Sequence, residues 1–350
     1  MDAAGDVPGI RREAVARFFS EHVPGGDVPL RFERIPGGRS NLTYVVRAAD
    51  GGREWVLRRP PLGHVLPTAH DMVREYTVLA ALANTEVPAP RSIALCEDTS
   101  VNDAPFYVMT YTPGVVLHES LPPGYAEKEE DRRRMSLALV DTLVALHAVD
   151  YEAVGLGEFG HPAGFLERQV RRWSQQWERS KTRELPAIEA VIEKLRGAIP
   201  ESPAPTIVHG DYRLGNIALD PDDPGRLVAI FDWEMATLGD PLTDLGYTLI
   251  FWGELNDRGA RDGIEQRQAL TAAPGFLTRS ELIAEYGRRS GRDVSTMDFY
   301  RALAHYKLSV ISEGIHARYL QGKTVGEGFD TAGRQAEELA ERALLFAERL

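Results

Sequence analysis

Three polar residues in one short loop and one after the next apolar run have the types and spacing to do chemistry. The segment HGDYRLGN begins at His209 and contains Asp211 and Asn216, and the apolar run Leu227 to Phe231 then leads into Asp232. In such an arrangement one carboxylate accepts a proton from an attacking hydroxyl, while the loop returns an amide oxygen to Mg²⁺. The second carboxylate holds the Mg²⁺ that bridges nucleotide phosphates.

The complete spacing is more specific than any of its parts. Histidine-x-aspartate alone is also typical of a turn that an aspartate caps. His-x-Asp-x-x-x-x-Asn, followed by an apolar strand that ends in Asp, is typical of the catalytic and metal-binding loops of kinases. We therefore expect Asp211, Asn216 and Asp232 to be catalytic, with Asn216 and Asp232 as the metal ligands.

Composition and charge narrow the classes of protein. With 350 residues, 43% hydrophobic and 26% charged, the chain is long enough for about two domains that each bury a core. A net charge of -12 argues against a nucleic-acid or anionic-membrane binder. A single cysteine, Cys96, excludes an internal disulfide. Without a long apolar run or a signal peptide, a cytoplasmic protein with no membrane span is expected.

The first third of the chain is patterned as strands. Short segments rich in β-branched and aromatic residues are separated by glycine pairs, which predicts an antiparallel meander. We expect strands at 30–35, 42–48, 54–58, 92–96 and 106–110, and helices at 10–22 and 71–83. A glycine-rich turn at 37–41, with Ser40 and Asn41, would let backbone N–H groups approach phosphates, although such glycines are also ordinary hairpin chemistry.

The rest of the chain is patterned mainly as helices. They are expected at 127–148, 163–179, 185–198, 241–252, 279–289, 298–320 and 332–349. Strands first and helices afterwards, with the polar loops inserted between them, predict an α+β fold with two lobes. The pair Pro113-Gly114 marks the boundary, so we expect lobes at 1–112 and 113–350.

These motifs support a family resemblance over about residues 30 to 320. The chain resembles the aminoglycoside phosphotransferase family of small-molecule kinases, and in particular the kinase domains related to, or fused with, acyl-CoA dehydrogenases. The resemblance rests on the segments VLRRPP, REYTVLAAL, FYVMTYTPG, HGDYRLGN and FDWEMATLGDPLTDLGY. It implies a bilobal protein-kinase-like fold with a nucleotide-binding first lobe. It also implies ATP and Mg²⁺ as cofactors and a small-molecule hydroxyl as phosphoryl acceptor.

The resemblance also implies roles for residues outside the loop. Glu75 matches the first-lobe helix glutamate that pairs with the phosphate-binding cation. Asp244 matches the acid that braces the catalytic loop, and His209 supports the same loop; a helix N-cap at Asp240 is the competing local interpretation. The lobe-connecting segment, whose backbone would hold adenine, is matched by Thr110, Tyr111 and Thr112.

One position departs from the family pattern. Arg58 stands where the phosphate-binding lysine is expected, with Arg59 beside it. Arginine keeps the charge and offers a bidentate fork to phosphate or to Glu75, but it is bulkier and planar, so its geometry over the phosphates can differ. Trp233, where protein kinases carry a phenylalanine, indicates a fixed packing element rather than a flipping switch.

Two classes of function compete, an ATP-dependent kinase that acts on a small-molecule hydroxyl and a non-catalytic nucleotide-binding scaffold. A non-catalytic nucleotide-binding scaffold is expected to have lost at least one of Asp211, Asn216 and Asp232, whereas all three are present. A protein-substrate kinase is disfavoured because no activation segment follows Asp232 before the helix start at Asp240. The enzyme hypothesis is therefore preferred.

The sequence says least about the acceptor. The helix expected to line its pocket, 299–322, carries Arg301, Lys307, Arg318 and two histidines but only one acid, Glu313. That balance favours an anionic acceptor over a polycation. We expect a hydroxyacyl compound or its coenzyme A thioester and a functional link to an acyl-CoA dehydrogenase; aminoglycosides, sugars and choline remain alternatives. Candidate substrate contacts are Arg213, Glu234, Lys307 and Arg318.

Overall fold

The computed structural model, which describes residues 7–35, 41–63, 70–254, 270–323 and 328–350, divides the chain into two units. The first contains the described residues up to Gly114 together with Val228–Ala236. The second contains Val115–Leu227 and Thr237–Leu350. A segment of nine residues that includes Asp232 therefore belongs to the first unit, although it lies far along the chain from the rest of it.

The first unit is built on a five-stranded antiparallel sheet. Up to Gly114 the chain forms α1 (Arg12–His22), β1 (Leu30–Arg34), β2 (Leu42–Ala48), β3 (Glu54–Arg59), α2 (Met72–Leu82), β4 (Ser92–Cys96), α3 (Thr99–Asn102) and β5 (Phe106–Thr110). The strand order is β1-β2-β3-β5-β4. Each strand begins where the sequence predicts and ends within one residue of the prediction; only the single turn α3 was not expected.

The two faces of this sheet have different roles because side chains alternate along each strand. One face carries large apolar side chains such as Tyr44, Trp55 and Phe106, which pack with Phe19 of α1 into the core of the unit. Arg59 lies on this face, where its guanidinium donates to the backbone carbonyls of Gly9 and Asn102. The opposite face therefore receives Arg58.

The second unit is mostly helical with short strands between the helices. From Val115 onward the chain forms β6 (Val115–Val116), α4 (Glu129–Ala148), α5 (Phe165–Ser180), α6 (Pro186–Gly197), β7 (Thr206–Val208), β8 (Ile217–Leu219), β9 (Leu227–Ile230), β10 (Thr237–Gly239), α7 (Leu242–Ile250), α8 (Arg279–Ser290), α9 (Met297–Leu320) and α10 (Ala332–Ala347). All of β9 except Leu227 belongs to the first unit. Strand β7 pairs with β10, and β6 pairs with β8, both antiparallel.

The predicted α+β class is confirmed by this combination of sheet and helices. The long helices lie close to their expected bounds, whereas β6 and β10, which have two and three residues, were not predicted. Among the described residues, none of the helices is both long and apolar enough to cross a membrane.

A glycine on α7 sets how closely this helix approaches α9. A Cβ atom added at Gly246 would lie 2.8 Å from the backbone oxygen of Tyr300 and 3.0 Å from its carbonyl carbon. Contacts of this kind with backbone cannot be relieved by a rotamer change. The helix that begins after Asp240 is thus held against α9 at a distance that only glycine permits.

We predict opposite effects for alanine at two helical glycines. Gly246→Ala should lower the free energy of unfolding by about 1–3 kcal/mol because the overpacking outweighs the gain in helix propensity of about 1 kcal/mol. Gly314→Ala on α9 is the matched control, since its Cβ would meet only Ser180, at 3.9 Å, and it should be neutral or stabilising. Urea unfolding of both variants tests this; equal effects would contradict the close approach.

Candidate active site

Arg58 connects two carboxylates of the first unit. Its Nε donates to Glu75 Oε2 at 2.8 Å, its Nη2 donates to Asp232 Oδ1, and its Nη1 donates to Thr43 Oγ1 at 3.3 Å. The side chain is only 12% exposed. The strand register places Thr43 and Tyr107 on either side of Arg58, on the same face of the sheet. One buried guanidinium is therefore satisfied in three directions.

Glu75 is buried on α2 and accepts several hydrogen bonds. Besides Arg58, the hydroxyl of Tyr107 donates to Oε2 at 3.0 Å, and the amide of Asn41 donates to Oε1 at 2.7 Å. Burial raises the pKa of Glu75 to about 7; Arg58 lowers it in opposition, and the negative charge of Asp232 raises it further. This carboxyl group therefore exchanges its proton near neutral pH.

Asp232 is held at the end of β9 by an unusual backbone conformation. It has φ 66° and ψ 62°, in the left-handed region, immediately before the 3₁₀ turn Trp233–Met235. The buried indole of Trp233 donates to the carbonyl of Ile230 at 2.9 Å and anchors this turn. Trp233 thus packs in the way that a fixed element would, and a strained residue with φ above zero often marks a functional position.

The polar face of the first unit suits a divalent cation. Glu75, Asp232 and Glu234 supply three carboxyl groups around the single guanidinium of Arg58, and Asn41 Nδ2 joins Glu75 to Glu234, which accepts at 3.1 Å. Asn41 Oδ1 is buried and accepts no hydrogen bond from the described residues. Carboxylate oxygens and a side-chain amide oxygen are the donor types that Mg²⁺ prefers. The residues present fit the metal that the motif implies.

The other expected nucleotide contacts of the first unit are placed as follows. Thr110 ends β5, and its backbone N–H donates to the carbonyl of Arg91 at 2.9 Å. Tyr111 and Thr112 follow outside any helix or strand, and Tyr111 is exposed. Ser40 lies outside the described residues. The assignment of these residues to adenine and phosphate stays a prediction.

In the second unit, both oxygens of the Asp211 carboxylate are oriented by side chains of its own loop. Asn216 Nδ2 donates to Oδ2 at 2.6 Å and to the backbone carbonyl of Asp211 at 2.9 Å, and Arg213 Nε donates to Oδ1 at 3.1 Å. Asn216 uses its nitrogen for these bonds, so its Oδ1, which accepts none from the described residues, is available to a cation. The guanidinium of Arg213 also lies over the Phe251 ring at 5.3 Å.

A buried carboxylate, Asp244, braces the start of the same loop. It accepts the backbone N–H groups of His209 and Gly210, both at 2.7 Å, and the Nε2 of His147 lies 3.3 Å away. Burial alone would raise the pKa of Asp244, but the hydrogen bonds and His147 outweigh it and keep the pKa below its usual value. Burial lowers the pKa of His147, so His147 is a neutral donor to Asp244, with its Nδ1 accepting from Tyr286 at 2.8 Å.

Asp240 and Asp244 divide the two roles that the sequence left open. Asp240 Oδ1 accepts the N–H of Leu242, the first residue of α7, at 3.0 Å, although Pro241 and not Asp240 holds the N-cap position. Tyr300 donates to its second oxygen at 2.8 Å. Asp244, one turn further on, faces the loop instead of capping the helix.

The candidate acceptor contacts on α9 do not lie together. Lys307 Nζ donates to the carbonyl of Gly210 at 3.0 Å, next to the loop. Arg318 is exposed near the end of the helix, roughly 16 Å further along its axis at 1.5 Å per residue. Arg301 stacks on Phe346, and the only acid expected in the pocket, Glu313, accepts from Thr182 instead. The assignment of Arg318 to the acceptor stays a prediction.

Some residues of the site are not recognisable from the sequence. Tyr107 and Thr43 join the Arg58 cluster through strand register, which only the paired strands define. The alternation of β5, with Phe106 and Val108 in the core, is the one signal that would have placed Tyr107 on the face of Arg58. His147 lies 97 residues from its partner Asp244 in the sequence, so no local pattern connects the two.

The sequence of this chain is similar to those of known phosphotransferases and related proteins. A sequence model of the phosphotransferase enzyme family, APH, matches residues 31–282. Acyl-CoA dehydrogenase family member 10 from Mus musculus is 34% identical over 326 residues, which are 92% of this chain and 30% of that protein. The chain thus spans less than half the length of this curated relative.

Solved structures share the fold. A candidate aminoglycoside phosphotransferase from Ralstonia eutropha JMP134 is 33% identical, with a TM-score of 0.80 over 96% of this chain and 98% of that chain. The ternary complex of streptomycin, ATP and APH(2")-IIa is 16% identical, with a TM-score of 0.57 over 95% of this chain and 99% of that one, a likeness of fold. These matches confirm the resemblance and the kinase-like α+β fold that the motifs predict.

The pKa of Glu75 predicts a dependence of stability on pH. The folded state binds this proton more tightly than an unfolded chain with the usual pKa of 4.5, so the free energy of unfolding should fall as pH rises from 4.5 through 7. The loss should total about 3 kcal/mol, at up to about 1.4 kcal/mol per pH unit.

Glu75→Gln removes the titrating group, so urea unfolding of the wild type minus this variant isolates its contribution. The free energy of unfolding of the wild type minus that of Glu75→Gln should decrease between pH 5 and pH 7. Glu193→Gln, at an exposed position of α6, is the control and should give a flat difference. A flat difference for Glu75→Gln as well would contradict the raised pKa.

Proposed function

We propose, from the premise that this chain belongs to the phosphotransferase enzyme family, that it transfers the γ-phosphoryl group of ATP to a hydroxyl of a small molecule. The chain is a kinase-type enzyme. The proposal rests above all on one observation, the Asp211 carboxylate, whose two oxygens are oriented by Asn216 and Arg213 on a loop that Asp244 braces. A loop of no chemical consequence has little need of such complete positioning.

Asp211 is assigned as the base. An acceptor hydroxyl that donates a hydrogen bond to this carboxylate has its oxygen lone pair directed away from the base and toward the phosphorus. As the new O–P bond forms, the hydroxyl proton passes to Asp211, and the bond from the γ-phosphorus to the bridging oxygen breaks, with its electron pair leaving on ADP. Arg213, 3.1 Å from the same carboxylate, stabilises its charge between turnovers.

The nucleotide is assigned to residues of the first unit, as the nucleotide-binding lobe expected at 1–112. Arg58 supplies a cation for the phosphates, and Glu75 holds it in place. Backbone groups at Thr110–Thr112 are assigned to adenine, and the turn that contains Ser40 and Asn41 to the phosphates. ATP is present in the complex of the structural relative with streptomycin.

Within the first unit, Asp232 is assigned as a Mg²⁺ ligand, since one of its carboxylate oxygens accepts nothing from the described residues. On the loop of the second unit, Asn216 keeps the ligand role that the motif predicts, and its amide oxygen likewise accepts nothing from the described residues. When bound, the metal neutralises charge on the nucleotide phosphates. Asp232 already has one oxygen fixed by Arg58, so its second oxygen is presented without rearrangement. Glu234 accepts from Asn41 and would orient that amide next to the metal ligand Asp232.

A hydroxyacyl compound, free or as its coenzyme A thioester, is the acceptor that we favour. On the Asp211 loop the guanidinium of Arg213 lies next to the proposed base, and a cation at this place suits an anionic acceptor better than a polycation. The mouse relative is named as an acyl-CoA dehydrogenase family member, which supports a functional link to an acyl-CoA dehydrogenase. Because the chain spans 30% of that relative, this link is part of the proposal.

A screen of ATP consumption by the purified chain tests the function. Candidate acceptors are hydroxyacyl-CoAs, free hydroxy acids, sugars, choline and aminoglycosides. We predict Mg²⁺-dependent turnover with a hydroxyacyl compound, and a loss of at least about 10³-fold in Asp211→Asn, which keeps the size of the side chain but removes the base. Asp150→Asn, on the exposed turn after α4, is the control and should keep full activity.

Three outcomes separate the competing hypotheses. Preferential turnover of an aminoglycoside, sugar or choline would overturn the acceptor and leave the kinase assignment standing. ATP binding without turnover of any acceptor would favour the non-catalytic nucleotide-binding module. Full turnover in Asp211→Asn would remove Asp211 from the role of base.

A further inference from the structure

We infer that Lys307 is a positioning residue that locks the peptide bond between Gly210 and Asp211, rather than a contact for the acceptor. This inference rests on the proposed role of Asp211 as the base. Lys307 lies on α9, almost a hundred residues after the loop, and its Nζ donates to the Gly210 carbonyl at 3.0 Å. That carbonyl belongs to the peptide unit that enters Asp211.

The peptide units around the loop are held one by one. The N–H of His209 and the N–H of Gly210 donate to the two oxygens of Asp244, both at 2.7 Å. The next peptide unit is held at both ends, because its carbonyl accepts from Lys307 and its N–H, that of Asp211, donates to His209 Nδ1 at 3.2 Å. Lys307 thus supplies the contact that Asp244 cannot reach.

Gly210 makes this contact necessary. It has φ 83°, a conformation that glycine adopts freely and from which it readily leaves, so the peptide that follows can rotate at little cost. Rotation of that peptide would reorient the Cα–Cβ bond of Asp211 and carry the carboxylate away from Asn216 and Arg213. A fixed cation on the carbonyl opposes the rotation.

The surroundings of Lys307 commit its ammonium group to the loop. Nζ lies 4.6 Å from the ring centre of Tyr247 on α7 and 5.9 Å from that of Trp173 on α5, so aromatic faces flank it. Burial lowers the pKa of Lys307, while Asp211 and Asp244 oppose that effect. A half-buried ammonium between two rings, with a backbone acceptor in place, is less able to follow a mobile ligand than a lysine on a free surface.

Kinetic constants of two variants separate positioning from acceptor binding. Lys307→Met keeps the length and the helix propensity of the side chain but removes the charge and the donor. We expect kcat to fall about 10²-fold, the scale of a small displacement of a reacting group, while KM for ATP and for the acceptor changes less than about threefold. Lys307→Arg, which keeps the charge and the donors, should recover most of kcat. Lys194→Met, exposed on α6, is the control.

A second measurement needs no turnover. Hydrogen exchange followed by mass spectrometry should show faster exchange, by about tenfold or more, in peptides covering 209–211 of Lys307→Met, with the sheet of the first unit unchanged. A rise in the acceptor KM with kcat retained would overturn the inference and make Lys307 an acceptor contact. Unchanged exchange at 209–211 would overturn it independently. Absence of turnover in the wild type would instead count against the proposed function and leave the exchange result decisive for Lys307.

Discussion

A single buried guanidinium, that of Arg58, organises the polar face of the first unit. Glu75 and Asp232 would repel each other without it. Burial raises the pKa of Glu75 to about 7 even with Arg58 present, and the charge of Asp232 adds to this effect. Removing one partner of such a buried cluster typically costs about 3–5 kcal/mol, because the remaining charges lose their compensation. The position of the carboxylates in this unit therefore depends on Arg58.

Arginine is suited to this position by its shape. Three of its nitrogens make separate contacts, with Glu75, Asp232 and Thr43, and a lysine ammonium is a compact point charge that cannot span the same distance. The departure from the family's lysine thus has a structural counterpart in this chain. Sheet alternation then explains why Arg58 and not Arg59 takes the role, since Arg59 is used by the carbonyl groups on the opposite face.

In the second unit a buried anion, rather than a buried cation, positions the functional groups. Asp244 is a buried anion that gathers backbone N–H groups and a neutral histidine, His147, and its charge is retained because every donor faces it. Both units therefore fix functional groups with a buried charge that makes several hydrogen bonds, which rigidifies a polar network at the expense of desolvation. Close packing of α7 on α9 at Gly246 holds the helix that carries Asp244.

Much of this architecture is visible in the sequence because local patterns determine it. Strands β2, β4 and β5 have the bounds that their β-branched and aromatic residues predict, and the spacing of the HGDYRLGN segment brings Asn216 onto Asp211. Strands of two or three residues, such as β6 and β10, contain too few positions for a period to appear.

Lys307 shows the other limit of sequence reasoning. Its charge was counted with that of Arg318 because both lie on one helix, yet the fold commits Lys307 to a backbone carbonyl and leaves Arg318 exposed far along the helix. Such a contact depends on tertiary packing between α9 and a loop that is remote in sequence. The same limit applies to Tyr107, whose partner Glu75 is set by the docking of α2 on the sheet.

Calorimetric titration of Mg·ATP tests the central claim, that the cluster around Arg58 is the nucleotide phosphate and metal site. The wild type should bind, and Arg58→Ala and Asp232→Ala should each weaken the affinity by about tenfold or more, since each removes a charged contact. Arg31→Ala, at an exposed position of β1, should bind like the wild type. Equal affinity of the wild type, Arg58→Ala and Asp232→Ala would contradict the account.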